Sequence, residues 1–258
     1  MTFEKKVIII TGASGGIGRA LALKFSRLKA RIVLASRNVQ ELKRLEAAIN
    51  DSGAEALVVP TDVGKKSDMQ NLIKQTLNRW GQIDVFIANA GQYVQGKIAD
   101  SGIEQFEKSM SVNFYGAVYG IKEALPHMIE RGSGNIAVIN SLDARKGIRG
   151  DGPYVAAKAA LAGFCDVLRQ ELHGSGVSVT SVFPGRVDTP MIENLSVPFI
   201  SPKISAGKVT DAVIKGIRKN KGDVIVPSLY RPMVILNMAF PGLMDTLYRK
   251  FRIEGWQK

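Results

Sequence analysis

The sequence predicts a single α/β domain built on a doubly wound, seven-stranded parallel sheet with helices on both faces. Short apolar runs alternate with longer segments of helical period, and several of the runs are continuously apolar, as in strands buried on both faces. No linker, repeat or low-complexity tract divides the 258 residues. Because strand, helix and strand follow one another repeatedly, right-handed crossovers would place the strands side by side in parallel.

The predicted strands are short and rich in β-branched residues: 6–10, 31–35, 56–59, 85–88, 136–139, 177–182 and 224–226. The segments between them return apolar residues every three or four positions, as in "GIGRALALKFSRLKA", "SDMQNLIKQTLNRWG" and "YVAAKAALAGFCDVLRQELHGSG". In such a sheet, ligands bind at the carboxyl ends of the strands near the switch in strand order. We therefore look there for a functional site.

Composition and charge narrow the classes of partner. With 35 basic and 23 acidic residues the net charge is +12, which favours anionic partners such as a phosphorylated cofactor, an acidic carrier protein or an acidic membrane surface. The basic residues are scattered and show no zinc-finger or RNA-binding spacing, so nucleic acid is not expected as a partner.

The cysteine content and the first residues bear on compartment. The single cysteine, Cys165, lies in a helical run, so we expect a buried thiol rather than a disulfide scaffold, and a reducing, cytoplasmic location. The apolar run in "MTFEKKVIII" is too short for a signal peptide or a membrane span.

A glycine-rich turn, "TGASGGIG", joins the first predicted strand to the first helix. Its glycines at 12, 16 and 18 permit positive φ and let backbone N–H groups approach a pyrophosphate, to which the helix N-terminus adds positive potential. The spacing is neither G-x-G-x-x-G nor the G-x-x-x-x-G-K-[ST] loop. It predicts a phosphate-binding turn of a third kind.

A tyrosine and a lysine stand four residues apart in "GPYVAAK". On a helix, Tyr154 and Lys158 would share one face, where the ammonium would lower the pKa of the phenol. Pro153 suits a first helical turn, so the pair is expected near the start of the helix.

Together these motifs resemble the short-chain dehydrogenases/reductases over roughly residues 5–227. The landmarks are T-G-x-x-x-G-x-G at 11–18, "DV" at 62–63, "NAG" at 89–91, "VNFYG" at 112–116, Ser141, Tyr154, Lys158 and "PG" at 184–185. Ala88 departs from the pattern, since many members have asparagine there. The resemblance implies a Rossmann-type catalytic domain at 1–227, a substrate lid at about 186–206, and reversible hydride transfer between a nicotinamide and a carbonyl or alcohol.

The resemblance also implies catalytic roles. Tyr154 would be the general acid/base, and Lys158 would lower its pKa and hold the nicotinamide ribose. Ser141, 13 residues before Tyr154, would bind the substrate oxygen, and Asn113 would complete a proton relay near Lys158.

The expected cofactor is NADP(H). At the end of the second strand Ser36 stands where an acidic residue would bind the ribose of NAD, and Arg37 follows, which suits a 2′-phosphate. The resemblance places Asp62 and Val63 beside the adenine, Asn89 at the ribose and Thr189 near the nicotinamide amide. The full expected cofactor set is Thr11, Gly12, Ser14, Gly16, Ile17, Gly18, Ser36, Arg37, Asp62, Val63, Asn89, Ala90, Gly91, Tyr154, Lys158, Pro184, Gly185, Val187 and Thr189.

No metal site is expected, because His127 and His173 do not join a set with metal-ligand spacing.

Two segments bear on the substrate. The loop from Asp143 to Lys146 either sets specificity or is simply solvated, and the sequence leaves both open. Apolar residues in the lid favour a hydrophobic substrate: Met191, Ile192, Leu195, Val197, Phe199 and Ile200.

The tail at 228–258 is an amphipathic extension. Apolar residues recur at three- and four-residue intervals between Leu229 and Phe251, interrupted by prolines and followed by basic residues up to Arg252. Three interpretations stay open: peripheral membrane contact through 229–252, packing on a partner subunit, or covering the substrate entrance. The tail is weakly similar to those of lipid-acting members such as ketodihydrosphingosine reductases.

The leading hypothesis is an NADPH-dependent reductase of a hydrophobic ketone or aldehyde, or of a lipid. A 3-oxoacyl-(acyl carrier protein) reductase is the alternative enzyme, which the basic charge supports and the tail opposes. A catalytically silent NADP-binding sensor or scaffold is the alternative from another class. The resemblance suggests a homodimer or homotetramer.

Overall fold

A computed structural model describes residues 2–193, 202–251 and 253–254 of the chain. Its strands are β1 (Val7–Thr11), β2 (Arg31–Ser36), β3 (Glu55–Pro60), β4 (Val85–Ala88), β5 (Gly134–Ile139), β6 (Val177–Pro184), β7 (Val187–Asp188), β8 (Ile204–Ser205) and β9 (Asp223–Val226). Its α-helices are α1 (Gly16–Arg27), α2 (Val39–Asp51), α3 (Lys66–Trp80), α4 (Ile103–Met110), α5 (Gly116–Glu130), α6 (Gly152–Glu171), α7 (Ala206–Arg218), α8 (Arg231–Ala239) and α9 (Pro241–Lys250).

The central sheet has seven parallel strands in the order β3-β2-β1-β4-β5-β6-β9. The predicted fold class is therefore confirmed. The chain first runs outward from β1 to β3 and then returns to place β4 on the other side of β1. This switch in strand order puts a crevice at the carboxyl ends of β1 and β4, where Thr11 and Ala88 end their strands.

Both faces of the sheet are buried, as the continuously apolar strands predicted. Alternate residues of β1 point to opposite faces of the sheet, and each face has its own hydrophobic core. Ile8 and Ile10 pack with Phe25 of α1 in one core, and Ile9 packs with Phe86 in the other. The second core also contains the thiol of Cys165, whose pKa burial raises to about 12, in agreement with the expected inert core residue.

Helices α4 and α5 join through a single π-helical segment, Ser111–Tyr115. The sequence did not predict this π-segment. The shift that it causes in the helical register is too small to show in the spacing of apolar residues. Asn113 lies at its centre and is 1% exposed. π-segments inside α-helices often occur at functional sites.

Between β6 and α7, the described part of the expected lid is short. β7 and β8 form a parallel pair of two-residue strands, and a 3₁₀ turn covers Pro190–Ile192. The residues Leu195, Val197, Phe199 and Ile200 lie outside the described part of the chain.

The tail forms a helical hairpin of α8 and α9, residues 231–250, called here the C-terminal hairpin. Val234 and Met244 are buried, and several apolar side chains are exposed: Ile235, Leu236, Met238, Phe240 and Leu243. An ion pair between Lys146 and Asp245, and a 2.8 Å hydrogen bond from Asn237 Nδ2 to the Arg145 carbonyl, attach it to the loop after β5. Among the described residues, no helix has the length and apolarity needed to cross a membrane.

Candidate active site

A cavity of about 600 Å³ opens at the carboxyl ends of the central strands. Most of the residues predicted from the sequence line it: Gly12, Ser14, Gly16, Ile17, Ser36, Arg37, Asp62, Val63, Asn89, Ala90, Gly91, Ser141, Tyr154, Lys158, Pro184, Gly185, Val187 and Thr189. Three do not line it. Thr11, Gly18 and Asn113 lie behind the wall and support the residues that do.

The glycine turn is closely packed where it meets the strand next to it. Gly12 has φ +65°, and a Cβ built there would lie 2.8 Å from the Ala90 Cα. A Cβ at Gly18 would lie 2.2 Å from the Gly12 carbonyl oxygen. The N-cap residue of α1, Gly15, has no side chain to accept from the first N–H groups of the helix. These free donors beside the cavity fit the pyrophosphate of a dinucleotide.

Thr11 and Asn89 hold the turn against the end of β4. The Thr11 hydroxyl accepts the N–H groups of Asn89 and Ala90, each at 3.0 Å. Asn89 Nδ2 donates to the carbonyls of Thr11 at 2.8 Å and Gly12 at 3.2 Å. Thr11 therefore lies behind the lining and supports the glycine turn, and its contact with a cofactor stays a prediction.

The far end of the crevice, at the carboxyl end of β2, carries a cation that has no partner among the described residues. Ser36 is buried and its hydroxyl accepts the Asn38 N–H at 3.0 Å. Arg37 is exposed and lines the cavity, and within the described residues its guanidinium has no ion pair or hydrogen bond.

Lys158 is placed in the cavity wall by the first turns of α6, in which Pro153 follows the first residue. The residue is 3% exposed, its ammonium donates to the Ile139 carbonyl at 2.8 Å, and its Nζ lies 5.9 Å from the centre of the Tyr154 ring. Burial lowers the pKa of Lys158 to about 8. The ammonium is therefore charged at neutral pH and loses its proton as the pH rises through that value.

Tyr154 departs from expectation in one respect. Burial, and secondarily the negative charge of Asp143, raise the pKa of the Tyr154 phenol, while a hydrogen bond with Ser141 acts in the opposite direction. The sequence predicted that Lys158 would lower this pKa. The pKa is raised instead, because the cost of burying the phenolate is larger than the effect of the ammonium.

Asn113 clamps the loop that follows β4. Its Oδ1 accepts the Gln92 N–H at 3.0 Å, and its Nδ2 donates to the Gln92 carbonyl at 2.8 Å. A Cβ built on Gly91 would lie 3.0 Å from Asn113 Oδ1 and 3.8 Å from Lys158 Nζ. Asn113 thus holds the wall beside Lys158, and its role in a proton relay stays a prediction.

The end of the cavity beyond Tyr154 contains polar residues that no motif indicated. Tyr93 donates a short hydrogen bond to Asp151, and its ring meets Tyr154 edge-on at 5.2 Å between centroids. Burial raises the pKa of Asp151 to about 7, although its hydrogen bond with Tyr93 opposes this shift. The only sequence signal for Tyr93 is its place two residues after N-A-G.

The loop after Ser141 divides its side chains between two environments. Asp143 and Lys146 line the cavity. Arg145 forms ion pairs instead with Asp223 and, at 3.8 Å, with Asp166, and its guanidinium stacks over a buried phenylalanine. Of the two interpretations that the sequence left open for this loop, Asp143 and Lys146 favour a role in specificity.

The segment expected to form the lid and the tail complete the wall. Met191 and Ile192 line the cavity, as expected for the lid. Residues of the tail that the sequence did not assign to the site also contribute: Tyr230, Met233, Tyr248 and Ile253. Arg186 joins the two segments by donating to the Glu254 carbonyl at 2.6 Å. In the part of the chain that is described, no group of three histidine, cysteine or acidic residues has the arrangement of a metal site.

Comparisons with known proteins agree with this geometry. Residues 6–197 match the family described as short chain dehydrogenase. An uncharacterised oxidoreductase from Staphylococcus epidermidis is 36% identical, with 82% of this chain and 90% of the relative covered. The ketoacyl reductase HetN from Nostoc sp. is 32% identical over 100% of this chain and 93% of its own.

Two solved structures are similar in fold. A short chain dehydrogenase/reductase from Burkholderia phymatum in complex with NAD superposes with a TM-score of 0.85, at 24% identity, covering 94% of this chain and 96% of the other. A variant of actinorhodin polyketide ketoreductase with NADPH superposes at 0.80, with 26% identity, covering 86% and 95%. The chain therefore belongs to the short-chain dehydrogenase/reductase family.

Proposed function

We propose that this protein is an NADPH-dependent reductase of a hydrophobic ketone or aldehyde, reversible to oxidation of the alcohol. The observation that carries the proposal is the convergence of Ser141, Tyr154 and Lys158 on one cavity whose other end is the glycine turn of α1. The likeness to HetN and to a ketoreductase with NADPH supports the same reaction class.

In this proposal the bound nicotinamide supplies the hydride, and the residues of the chain supply position and protons. The raised pKa keeps the Tyr154 phenol protonated at neutral pH, so it is ready to donate to the carbonyl oxygen as negative charge develops there. Lys158 uses one of its three N–H donors on Ile139 and presents the others to the cavity, where they suit ribose hydroxyls. Its charge also stabilises the phenolate that remains after proton transfer.

An assay of NADPH absorbance tests this function. It uses a panel of long-chain ketones, acyl thioesters and dicarbonyl compounds as substrates. Turnover of a ketone or aldehyde supports the proposal. Turnover restricted to acyl thioesters that carry a 3-oxo group identifies the second candidate, a 3-oxoacyl-(acyl carrier protein) reductase, which the similarity to the ketoacyl reductase HetN and the net charge of +12 favour. Tight NADPH binding without any turnover identifies a silent sensor.

Cofactor preference is expected to depend on Arg37. An Arg37→Asp variant should bind NADPH about 10- to 100-fold more weakly, because a bidentate contact with the 2′-phosphate is replaced by repulsion. NADH binding should change much less. Fluorescence titration of both cofactors measures this ratio. Arg44→Asp is the matched control, since Arg44 is exposed on α2 outside the cavity lining; an unchanged preference in Arg37→Asp contradicts the assignment.

For the tail, we propose peripheral contact with an anionic membrane. The segment from Met233 to Met244 contains no charged residue, its outer side chains are exposed, and basic residues stand at Arg231, Arg249 and Lys250. The same hairpin lines the cavity through Met233 and Tyr248, so a lipid substrate would pass from the bilayer along its inner side.

A double variant, Phe240→Ser with Leu243→Ser, should lose most of its binding to vesicles that contain anionic lipid, because these two exposed side chains supply apolar area at the hairpin turn. Cosedimentation with anionic and neutral vesicles measures the effect. Ile129→Ser is the control, since Ile129 is equally apolar and exposed on α5. Equal sedimentation of both variants, or a fall in oligomer mass in the double variant, contradicts membrane contact and favours subunit packing.

We also propose a homodimer or homotetramer. The exposed side of α6 carries Ala156, Ala159 and Gly163, small residues that let a helix of a second copy approach closely. Sedimentation velocity tests this assembly.

A further inference from the structure

The Ser141 hydroxyl forms a hydrogen bond with Asp143, which competes with any substrate for the hydroxyl proton. The Ser141 hydroxyl lies 3.0 Å from Asp143 Oδ2, and its oxygen accepts the Asp143 N–H at 3.1 Å. A serine hydroxyl has one proton to donate. While that proton is directed at the Asp143 carboxylate, it is available neither to the Tyr154 oxygen, with which Ser141 also interacts, nor to the oxygen of a carbonyl substrate.

Asp143 faces the cavity with acceptor capacity to spare. A carboxylate offers about four lone-pair sites. Within the described residues Asp143 forms no ion pair, and its carboxylate is hydrogen-bonded to Ser141, so part of this capacity is open to a ligand. Burial raises the pKa of Asp143, and the hydrogen bond with Ser141 and the positive charge of Arg186 oppose this shift. A hydrogen-bond donor supplied by a ligand would act in the same direction as these two groups and favour the carboxylate.

A second buried polar group marks the same place as a binding position. Asn140 is 2% exposed and lines the cavity, and its Oδ1 accepts the Ser141 N–H at 3.0 Å. Its Nδ2 is buried and has no partner among the described residues. Buried polar atoms without partners are rare in folded proteins, and one that borders a cavity can donate to a ligand or to water there.

We propose that Asp143 forms a substrate subsite for a hydrogen-bond donor, a hydroxyl or an ammonium group, on the carbon next to the reacting carbonyl. Such a donor takes the place of the Ser141 hydroxyl at Asp143, and the Ser141 proton turns to the carbonyl oxygen. The substrate thereby completes the site that reduces it. This inference rests on the proposed reductase function and narrows its substrate to an α-hydroxy or α-amino ketone.

The geometry suits such a pair of groups. Oxygen atoms on neighbouring carbons lie about one hydrogen-bond length apart, roughly 2.7–3.0 Å, which is the scale of the 3.0 Å separation between Ser141 Oγ and Asp143 Oδ2. A simple ketone leaves Asp143 with Ser141 as its donor and has to break that hydrogen bond to be activated. We therefore expect discrimination against simple ketones even when their apolar parts are identical.

Three substrates of one chain length test the inference: a methyl ketone, the corresponding hydroxymethyl ketone and the corresponding aminomethyl ketone. The wild-type protein should reduce one or both substituted ketones with kcat/KM about 10- to 100-fold above that of the methyl ketone. Whether kcat/KM rises for the hydroxymethyl ketone or for the aminomethyl ketone shows whether Asp143 accepts from a hydroxyl or from an ammonium group. Equal kcat/KM for all three overturns the inference and leaves the reductase function standing. No turnover of any of them, with NADPH bound, overturns both.

Variants connect the preference to the carboxylate. In Asp143→Ala the ratio of kcat/KM for the preferred substituted ketone to that for the methyl ketone should fall by about 10- to 100-fold, and Asp143→Asn should fall between Ala and wild type. Asp188→Ala removes an exposed carboxylate from β7 outside the cavity lining and should keep the wild-type ratio. NADPH titration confirms that each variant is folded. A preference that persists in Asp143→Ala, or a fall that Asp188→Ala shares, overturns the assignment.

Discussion

Replacing Tyr154 with phenylalanine is expected to lower kcat for carbonyl reduction by about 100- to 10,000-fold, the range that a general acid contributes. The phenol lies in the cavity beside Ser141 and is the proton donor of the proposed mechanism, while the ring itself packs edge-on against Tyr93. Phenylalanine keeps that ring contact. The NADPH dissociation constant should therefore remain close to the wild-type value, because the turn before α1 that is proposed to hold the phosphates is unchanged.

The matched control is Tyr93→Phe, which removes a second phenol from the same cavity. Tyr93 donates to Asp151, so its removal should have a much smaller effect on kcat than the loss of Tyr154. Steady-state assays with NADPH titration in parallel measure both variants. Similar losses in the two variants would show that the phenols act by shaping the cavity, and the assignment of Tyr154 as the acid would then be wrong.

Gly18→Ala should weaken NADPH binding on the order of 100-fold and reduce the free energy of unfolding by about 1–3 kcal/mol. A Cβ at this position would lie 2.2 Å from the Gly12 carbonyl oxygen and 2.7 Å from Asn89 Nδ2, so the turn has to move away from its place against β4. The movement costs packing energy and displaces the N–H groups that face the cavity.

Gly15→Ala provides the control within the same turn. A Cβ at Gly15 meets no atom within 4 Å, and its extended backbone, with φ −164°, is open to any residue. The variant should change stability by less than about 1 kcal/mol, the scale of an altered N-cap. Thermal or urea unfolding of the pair measures the difference, and NADPH titration is made on Gly18→Ala alone, because Gly15 itself lines the cavity. Equal losses in both variants would contradict the close packing at Gly18.

The local pattern of apolar residues and motifs in the sequence was sufficient to predict the fold and the motif residues. Each predicted strand is present, and the bounds differ by two residues at most, as where β6 continues to Pro184. Continuous apolar runs predicted burial on both faces, and the i,i+4 spacing of Tyr154 and Lys158 predicted their shared helical face, because both properties depend on neighbours along the chain. The π-segment at Asn113 was not predictable, since it is one extra residue in an otherwise helical stretch.

The sequence by itself determined a Rossmann-type parallel sheet, a glycine turn at its first crossover and the motif residues of the short-chain dehydrogenase/reductase family. Only the tertiary structure decided what surrounds Tyr154: Tyr93 from the loop after β4, Asp143 from the loop after β5 and Tyr248 from the C-terminal hairpin. It also decided the direction in which the pKa of Tyr154 shifts, since burial, which no spacing reveals, raises it. The physical reason is the same in each case. Desolvation and hydrogen bonding depend on groups that are distant in the chain and adjacent only after the sheet and the hairpin have formed.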